Sequence, residues 1–467
     1  MSNPFRILTI TFALILAQAV GSGAAENTSL QNRILTPLGS PTAPVRLRVP
    51  GTIENYPNLT RGRPLPSLPI TTWITFQDYM RAVEEENLSL AAQRYNVPIA
   101  EAKLTAAHVW PDPVLQGGYA GDINHAQSTT YNGQATVTLP WGGRIHYGVQ
   151  AARANLGAAR ASLADYIRTL RGQAADAFID ALTGRLKFER DMKSLQRAQQ
   201  LVEYNVEAHT KGQVTEDALM RSRIAELEAH SNLANDQSTL HQTLGNLAVL
   251  LGTGSANGLI GAAGSLEASA RQFSVNELVK NAITTRTDVI AAQYSLDSAI
   301  ASYKQAKAQR IPDLSVSGVY NHFTDITNPI DPAPHWDSAG ASFSIPIPFS
   351  DLNPGNIQTA YYSQLQAEKS LQATKLQAQD DVLTAFEQYR LAVEETELFA
   401  TELLKDSDSV YKHRLFRLEK GQVTLTDVLD AHAALDQLYN DYYNALSARA
   451  KALVALEQAA GIWDVNF

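Results

Sequence analysis

The sequence predicts a mainly α-helical protein that also carries short strands suited to a membrane β-barrel. The pentapeptide KGQVT occurs twice, at 211–215 and at 420–424, each time between two long stretches of helical periodicity. Segments in which apolar and polar residues alternate precede these stretches in both halves of the chain. The repeated order of parts indicates an internal duplication, and this constrains the fold more than any single segment.

The N-terminus has the layout of a secretory signal peptide at residues 1–25. Arg6 precedes an apolar run, and small residues follow at 21–25, so cleavage is expected after Ala25. An uncleaved anchor helix is the alternative, but the apolar run is short for a membrane span. The next segment, 26–74, is rich in proline and is expected to form an extended arm rather than a helix.

The composition excludes several classes of protein. The chain is 45% hydrophobic and 18% charged with a net charge of −9, which argues against disorder and against a nucleic-acid partner. It contains no cysteine, which excludes disulfides, thiolate metal sites and a lipid anchor on cysteine. The ten histidines form no metal-binding motif, and no nucleophile–base pair is evident, so neither a cofactor, a metal site nor enzymatic activity is expected.

The duplication divides the chain into two structural repeats. The first is expected at 75–250 and the second at 273–461, with a linker at 251–272 between them and a tail at 462–467. The dipeptide Pro-Asp recurs near the first strand of each repeat at an offset of 201 residues, as Pro111-Asp112 and Pro312-Asp313.

Long helices are expected at about 144–208 and 356–418, and each KGQVT turn leads into a further helix. Apolar residues in the second of these are spaced 7, 3, 7, 7, 3 and 7, which is typical of a coiled-coil seam. This seam consists of Leu376, Leu383, Phe386, Val393, Ala400, Leu403 and Val410. A long helix, a tight turn and a returning helix form an antiparallel hairpin, so KGQVT is predicted to be the tip of each hairpin.

The strands are expected at about 113–121 and 133–140 in the first repeat and at about 313–323 and 338–346 in the second. Their alternation suits a barrel with an apolar outer face and a wet lumen, although a half-buried soluble sheet has the same period. The loops at 121–133 and 324–337 are longer than a hairpin requires. Four strands cannot close a barrel, so a membrane location would require several subunits to share one.

Taken together, the sequence resembles the TolC-like outer-membrane factors from about Thr75 to Gly461. The resemblance rests on the duplicated order, on PWGGR (140–144) and SDLNPGN (350–356) after the strands, and on the tip GQVTLTDVLDA (421–431). It implies a homotrimer in the outer membrane of a Gram-negative bacterium, with a barrel of twelve strands and a helical tunnel across the periplasm. The implied partners are a periplasmic adaptor, or membrane fusion, protein and an inner-membrane pump of the resistance–nodulation–division type.

The implied function is the passive exit duct of a tripartite efflux system. The LNPGN and PWGGR elements look closer to the metal-efflux branch represented by CzcC, which makes heavy-metal cations the expected cargo. Drug efflux and type I protein secretion stay open as alternatives. A structural periplasmic coiled-coil protein is the alternative from another class.

Three groups of residues are candidates for the functional site. Asp427 and Asp430 match the acidic pair that lines the periplasmic constriction of the family, although Asp427 is also placed to cap a helix. Trp110 and Trp141 are expected to be interfacial aromatics at one level of the barrel. The residues expected to contact the adaptor at the two tips are Lys211, Gly212, Gln213, Val214, Thr215, Lys420, Gly421, Gln422, Val423 and Thr424.

Overall fold

A computed structural model describes residues 70–121, 129–253, 259–267, 271–325, 334–347, 354–399 and 404–465. The chain divides between Leu65 and Pro66, and every described residue belongs to the second unit, Pro66–Phe467. The predicted signal peptide and the proline-rich arm up to residue 69 lie outside the described residues. So does most of each long loop between the predicted strands.

Helices and strands follow each other in nearly the same order in the two repeats. The first repeat contains β1 (Ile70–Thr75), α1 (Phe76–Glu86), α2 (Leu88–Arg94), α3 (Asn96–Ala107), β2 (Val114–Ala120), β3 (Thr130–Leu139), α4 (Arg144–Thr210) and α5 (Glu216–Leu250). The second repeat contains β4 (Leu259–Ala263), α6 (Val275–Thr285), α7 (Thr287–Ala308), β5 (Leu314–Phe323), β6 (Trp336–Ser344), α8 (Pro354–Leu398), α9 (Leu404–Glu419) and α10 (Leu425–Ala460). The predicted mainly helical fold with a few strands is therefore confirmed.

A short parallel pair of strands joins the beginnings of the repeats, since β1 pairs with β4. Leu259 and Ala262 of β4 are buried. The sequence predicted a linker at 251–272, so this strand was missed. The apolar stretch LIGAA is too short for its periodicity to be recognised, and its pairing partner lies in the other repeat.

The main hydrophobic core lies where α1 packs against the middle of α4. The ring of Phe178 on α4 lies 5.4 Å from the ring of Phe76 and 5.5 Å from that of Tyr79, and all three side chains are buried. Burial of one such side chain stabilises the fold by about 1.5–3 kcal/mol. Helix α1 begins at Phe76 because the Thr75 hydroxyl accepts a hydrogen bond from the backbone N–H of Asp78.

Two antiparallel helical pairs extend from this core, because α4 packs along α5 and α10 packs against α8 and α9. Helix α4 has 67 residues, which corresponds to a length of roughly 100 Å. Within the described ranges, no helix combines the length and the apolar character needed to cross a membrane.

The buried seam of α8 has the predicted heptad spacing but a different register. Its buried residues are Leu371, Ala378, Val382, Ala385, Tyr389, Ala392 and Thr396. The predicted residues Leu376, Leu383 and Val410 are exposed, and Phe386 and Val393 are only partly buried. Ala400 and Leu403 lie outside the described residues. The prediction chose the larger apolar side chains, whereas α8 buries a face rich in alanine against α7 and α10 because small residues allow close packing.

The other strands form one antiparallel sheet in the order β2-β3-β5-β6. Strands β3 and β5 pair over their whole length, from Thr130 opposite Phe323 to Leu139 opposite Leu314. This central pairing joins the two repeats, and β2 and β6 form the edges of the sheet.

Candidate functional site

The register of the sheet places most of the apolar residues of its four strands on one face, which carries His322 and Asp337 only at its loop end. Val137 lies opposite Val316, which lies opposite Phe343, and Leu115 lies opposite Ala135. Leu115 and Phe343 are about four-fifths exposed. An apolar face that remains exposed on an antiparallel sheet is typical of a surface that lipid covers.

The opposite face carries hydroxyl and amide groups. The Thr136 and Ser317 hydroxyls lie 2.9 Å apart across β3 and β5, and the Thr138 and Ser315 hydroxyls lie 3.4 Å apart. The amide of Asn321 donates a hydrogen bond to the Ser338 hydroxyl at 3.2 Å. Within the described strands this face has no charged side chain. Such a surface would be wetted by water and would not discriminate strongly between solutes by charge.

Trp110 and Trp141 lie near the end of the sheet where the helices begin. Both side chains are exposed, at 59% and 63%. The Trp141 indole N–H donates a hydrogen bond of 2.7 Å to the backbone carbonyl of Pro312. Arg144 forms an ion pair of 2.7 Å with Asp313. The Pro-Asp dipeptide of the second repeat is therefore a docking point for the helix that follows β3.

A second group of aromatic residues lies at the opposite end of the sheet, and sequence reasoning missed it. The Phe323 and Trp336 rings stack at 4.0 Å with an interplanar angle of 7°. The Tyr119 and Tyr131 rings lie 5.3 Å apart. The cross-strand register brings these residues together, so the spacing along one strand could not have identified them.

The two KGQVT turns have the same backbone structure. Gly212 and Gly421 have φ angles of 71° and 69°, in the left-handed region that favours glycine. Each lies in a Schellman motif, in which the N–H of the following glutamine donates to a carbonyl in the last turn of the preceding helix, at 2.9 Å in both tips. Thr215 and Thr424 then cap the next helices.

The side chains predicted to contact a partner at the tips are mostly exposed. In each tip the lysine, glycine, glutamine and threonine are exposed, and only Val214 and Val423 are partly buried. Val423 packs against a small hydrophobic cluster that includes Leu201 of α4 and Tyr411 of α9. The two hairpins are therefore in contact close to their tips.

Asp427 completes a capping box with Thr424. The Thr424 hydroxyl donates a hydrogen bond of 2.6 Å to the Asp427 carboxylate, and the backbone N–H of Thr424 donates to the same oxygen at 2.9 Å. These hydrogen bonds lower the pKa of the Asp427 carboxyl below its ordinary value. The carboxylate is thus charged at the start of α10, where the positive end of the helix dipole also favours it.

Asp430 lies one turn further along α10, is exposed, and lines a polar groove between the two hairpins. The groove has a volume of about 720 Å³ and is bordered by α4, α5 and α10. Asp427 lies outside its lining. At the first tip, Asp217 forms an ion pair of 3.0 Å with Arg221, and Arg221 also lines the groove.

A network of polar side chains connects the two hairpins beside this groove. The Ser194 hydroxyl on α4 donates a hydrogen bond to the Asp436 carboxylate on α10, and Arg197 forms an ion pair of 3.6 Å with Asp436. The Arg197 guanidinium also lies 5.8 Å from the centre of the Tyr411 ring on α9. Burial lowers the pKa of His432, which lies 3.6 Å from Asp436. These contacts would have to change if the hairpins moved apart.

Comparison with known proteins supports the resemblance to outer-membrane factors. Residues 278–462 match the outer membrane efflux protein family. The cobalt-zinc-cadmium resistance protein CzcC of Cupriavidus metallidurans is 21% identical over 388 residues, which are 83% of this chain and 90% of the relative.

Solved structures share the fold at low sequence identity. CusC is 18% identical, with a TM-score of 0.69, over 87% of this chain and 100% of the CusC chain. The open state of the MtrE outer membrane channel of Neisseria gonorrhoeae is 18% identical, with a TM-score of 0.67, over 88% and 96% of the two chains. The VceC protein of Vibrio cholerae is 17% identical, with a TM-score of 0.65, over 82% and 95%.

The resemblance predicted from the sequence is therefore confirmed. Residues 278–462 match the outer membrane efflux protein family, and most of the chain shares its fold with solved outer-membrane channels, so the chain resembles the TolC-like outer-membrane factors.

Proposed function

We propose that three copies of this chain form the exit duct of a tripartite efflux system that expels heavy-metal cations. The observation that carries the proposal is the four-stranded sheet, with one apolar exposed face and one uncharged polar face, attached to long helical hairpins. The duct is passive, because its cargo would be driven by a partner in the inner membrane.

The edges of the sheet support a shared barrel. Strands β2 and β6 each have one pairing partner within the described chain, and unpaired backbone groups are very unfavourable in lipid. Pairing of β6 with β2 of the next copy would satisfy both edges. Three copies of four strands make a closed barrel of twelve.

The exposed tips are the surface proposed to meet the periplasmic adaptor, which in turn would recruit a pump of the resistance–nodulation–division type. The two exposed lysines and two exposed glutamines of the KGQVT turns offer hydrogen-bond donors and acceptors that have few partners within the tips. The Lys420 ammonium lies 5.4 Å from the centre of the Phe416 ring, and that of Lys211 lies 3.9 Å from the Glu207 carboxylate.

Asp427 and Asp430 are proposed to form the periplasmic gate. In a trimer, each would contribute three carboxylates around the three-fold axis at the narrow end of the tunnel. Capping and gating are compatible roles for Asp427, because the capping hydrogen bonds keep its carboxylate ionised.

The cargo proposal draws on the CzcC relative, whose name refers to resistance to cobalt, zinc and cadmium. A gene deletion in the native organism tests it through the minimum inhibitory concentrations of these three cations and of a panel of drugs. We expect the deletion to lower the minimum inhibitory concentrations of the metals and to leave those of the drugs unchanged. A plasmid copy of the gene should restore the metal tolerance.

Other outcomes would point to the alternatives. Sensitivity to drugs alone would favour a drug-efflux duct, and a secretion defect alone would favour a type I secretion duct. If the protein were absent from detergent extracts of the outer membrane, the channel interpretation would be wrong, and a structural periplasmic coiled-coil protein would be the better interpretation.

A further inference from the structure

Two histidines lie at the end of the sheet that carries the long loops, and the proposed function does not use them. His322 is near the end of β5, and His335 directly precedes β6. Their ring centres are 6.3 Å apart. They come from the two ends of the connection between β5 and β6, so the antiparallel register brings them together.

Each imidazole is held by a carboxylate through its Nδ1 atom. His322 Nδ1 lies 2.7 Å from a carboxylate oxygen of Asp337, and His335 Nδ1 lies 3.2 Å from one of Asp325. An ionised carboxylate only accepts hydrogen bonds, so in each pair Nδ1 must carry the proton. In the neutral ring the lone pair is therefore on Nε2, which is the arrangement found in most histidines that ligate metals.

Each histidine has a further contact that restricts the site. The Tyr131 ring lies 6.4 Å from it on the neighbouring strand. Asp325 also accepts a hydrogen bond from the backbone N–H of His335. The side chains of His322 and His335 are nonetheless 39% and 68% exposed. The site is thus partly preorganised and open to an ion from solution.

We infer that His322 and His335 together bind one divalent transition-metal cation through their Nε2 atoms. With metal–nitrogen bonds of about 2.0–2.1 Å and a tetrahedral angle, two imidazole centres on one ion are about 5 Å apart. The observed separation of 6.3 Å between the ring centres is about 1 Å longer, so binding requires the two side chains to rotate towards each other.

The protein supplies two ligands to this site and water completes the coordination. In the described part of the chain, no group of three or more His, Cys, Asp or Glu side chains is arranged to hold a metal ion. Imidazole nitrogen selects Zn²⁺, Cu²⁺ and Ni²⁺, whereas Ca²⁺ and Mg²⁺ prefer oxygen ligands. The site therefore takes the first group of cations and discriminates against the second.

The test is calorimetric titration of the purified, detergent-solubilised protein with Zn²⁺. In millimolar Mg²⁺, which competes for the carboxylates of the proposed gate but not for imidazole nitrogen, we expect one saturable Zn²⁺ site per chain. His322→Gln and His335→Gln should each weaken the affinity at least tenfold, because each removes one of two ligands. His241→Gln is the matched control, since His241 is an exposed histidine on α5, and it should bind as the parent does.

The carboxylates provide a second, graded readout. Asp337→Asn and Asp325→Asn should weaken Zn²⁺ binding by about 10–100-fold, the usual effect of losing the partner that orients a ligating histidine. With Cu²⁺ as the probe, electron paramagnetic resonance should show coupling to two imidazole nitrogens in the parent and to one in either histidine variant.

Circular dichroism and size-exclusion elution matched to the parent would establish that each variant is folded. The proposal is overturned if the folded parent shows no saturable Zn²⁺ binding. It is equally overturned if His322→Gln and His335→Gln bind as tightly as the parent, or if His241→Gln loses binding as they do.

Discussion

At the scale of single residues, one position distinguishes the two hairpin tips. When the KGQVT turns are superimposed, Asp427 corresponds to Ala218. Both positions donate a backbone N–H to the capping threonine, at 3.3 Å, but only Asp427 returns a carboxylate to it. The acid of the first tip, Asp217, is offset by one residue and paired with Arg221. The second tip is thus the better candidate for an acidic ring.

The gate hypothesis predicts the behaviour of the double variant Asp427→Ala, Asp430→Ala. Rings of like charge repel each other and attract cations, and salt screens both effects. The double variant should therefore lose the block of single-channel current by divalent or trivalent cations while still assembling. In the parent, the block should weaken as salt is added.

Asp217→Ala provides the control for this measurement, because its carboxylate is at the other tip and already has a partner. It should keep the cation block. If the double variant assembles normally and cations block it as strongly as the parent, the gate hypothesis is wrong. Asp427 then only caps α10, Asp430 is only a solvent-exposed residue, and the constriction lies elsewhere.

A partly buried carboxyl in α4, that of Asp176, should make the stability of the protein depend on pH. Burial raises the pKa of Asp176 to about 6, with Lys451 opposing and Asp180 reinforcing the shift. Its ordinary pKa in an unfolded chain is about 3.9. Between these two values the folded protein binds more protons than the unfolded chain, so stability falls as pH rises through this window and stays lower above it.

The difference of about two pKa units corresponds to about 3 kcal/mol, which solvent screening of this partly exposed carboxyl reduces to about 2 kcal/mol. Asp176→Asn should therefore remove the pH dependence and stabilise the protein at neutral pH by about 2 kcal/mol. Thermal unfolding monitored by circular dichroism at about pH 4.5 and 7.5 measures the effect. Asp297 is an exposed aspartate on α7. Asp297→Asn is therefore the control, and it should leave the unfolding temperature unchanged at both pH values. A parent whose stability does not fall over this range would contradict the assignment.

The sequence identified residues whose role depends on the local chain and missed those that depend on pairing. Gly212, Gly421 and the capping threonines are evident from KGQVT itself. The carboxylate–histidine pairs at His322 and His335 are not, because each histidine stands alone in its own segment. Asp337 lies 15 residues from His322, and only the register of β5 against β6 brings them into contact.

At the scale of elements, the glycines with positive φ should affect the stability of the turn in each hairpin. A Cβ at Gly421 would have no neighbour within 4 Å, so the φ angle of 69° is the only obstacle to a side chain. Gly421→Ala should destabilise the protein by about 1–2 kcal/mol. Gly421→Asn should cost less, because asparagine adopts this conformation more readily.

Gly355 offers a matched control in the first turn of α8, where a Cβ would also have no neighbour within 4 Å and φ is not positive. Gly355→Ala should stabilise the protein slightly, because alanine is the better helix former. Urea unfolding of the three variants measures the differences. Equal effects of Gly421→Ala and Gly355→Ala would show that backbone strain does not matter at the tip.

The elements themselves were predicted with different success, for a physical reason. The alternation in β3, β5 and β6 fixed their faces, because a strand has only two. Helix α8 has several possible faces, and its sequence carries one stripe of large apolar residues and another rich in alanine. Only the neighbouring helices decide which stripe is buried, and α8 buries Ala378, Ala385 and Ala392.

At the scale of the whole molecule, the direction of the strands is compatible with closure. All neighbours in the order β2-β3-β5-β6 are antiparallel, so β2 and β6 run in opposite directions. When β6 of one copy pairs with β2 of the next, that pair is also antiparallel. Any number of copies would give an unbroken antiparallel ring, and the duct proposed above has three.

The absence of cysteine makes this arrangement directly testable, because introduced cysteines have no competitors. Leu115 on β2 and Phe343 on β6 point from the same apolar face of the sheet and are both strongly exposed. They lie at opposite edges, so within one chain β3 and β5 separate them by three inter-strand spacings of about 4.8 Å each, too far for a disulfide.

The double variant Leu115→Cys, Phe343→Cys should therefore cross-link only between copies. If the register between copies is offset, cysteine at Ala341 or Ala339, which lie on the same face as Phe343, replaces Phe343→Cys. Oxidation in outer membranes should give a ladder on a non-reducing gel that ends at three chains. The control variant Gln116→Cys, Phe343→Cys places the two thiols on opposite faces of the sheet, so it should not cross-link and should run as a single chain on the non-reducing gel. A ladder that ends at two chains, or one that continues beyond three, would contradict the trimer, and the absence of any cross-link across all register pairs would contradict a shared barrel.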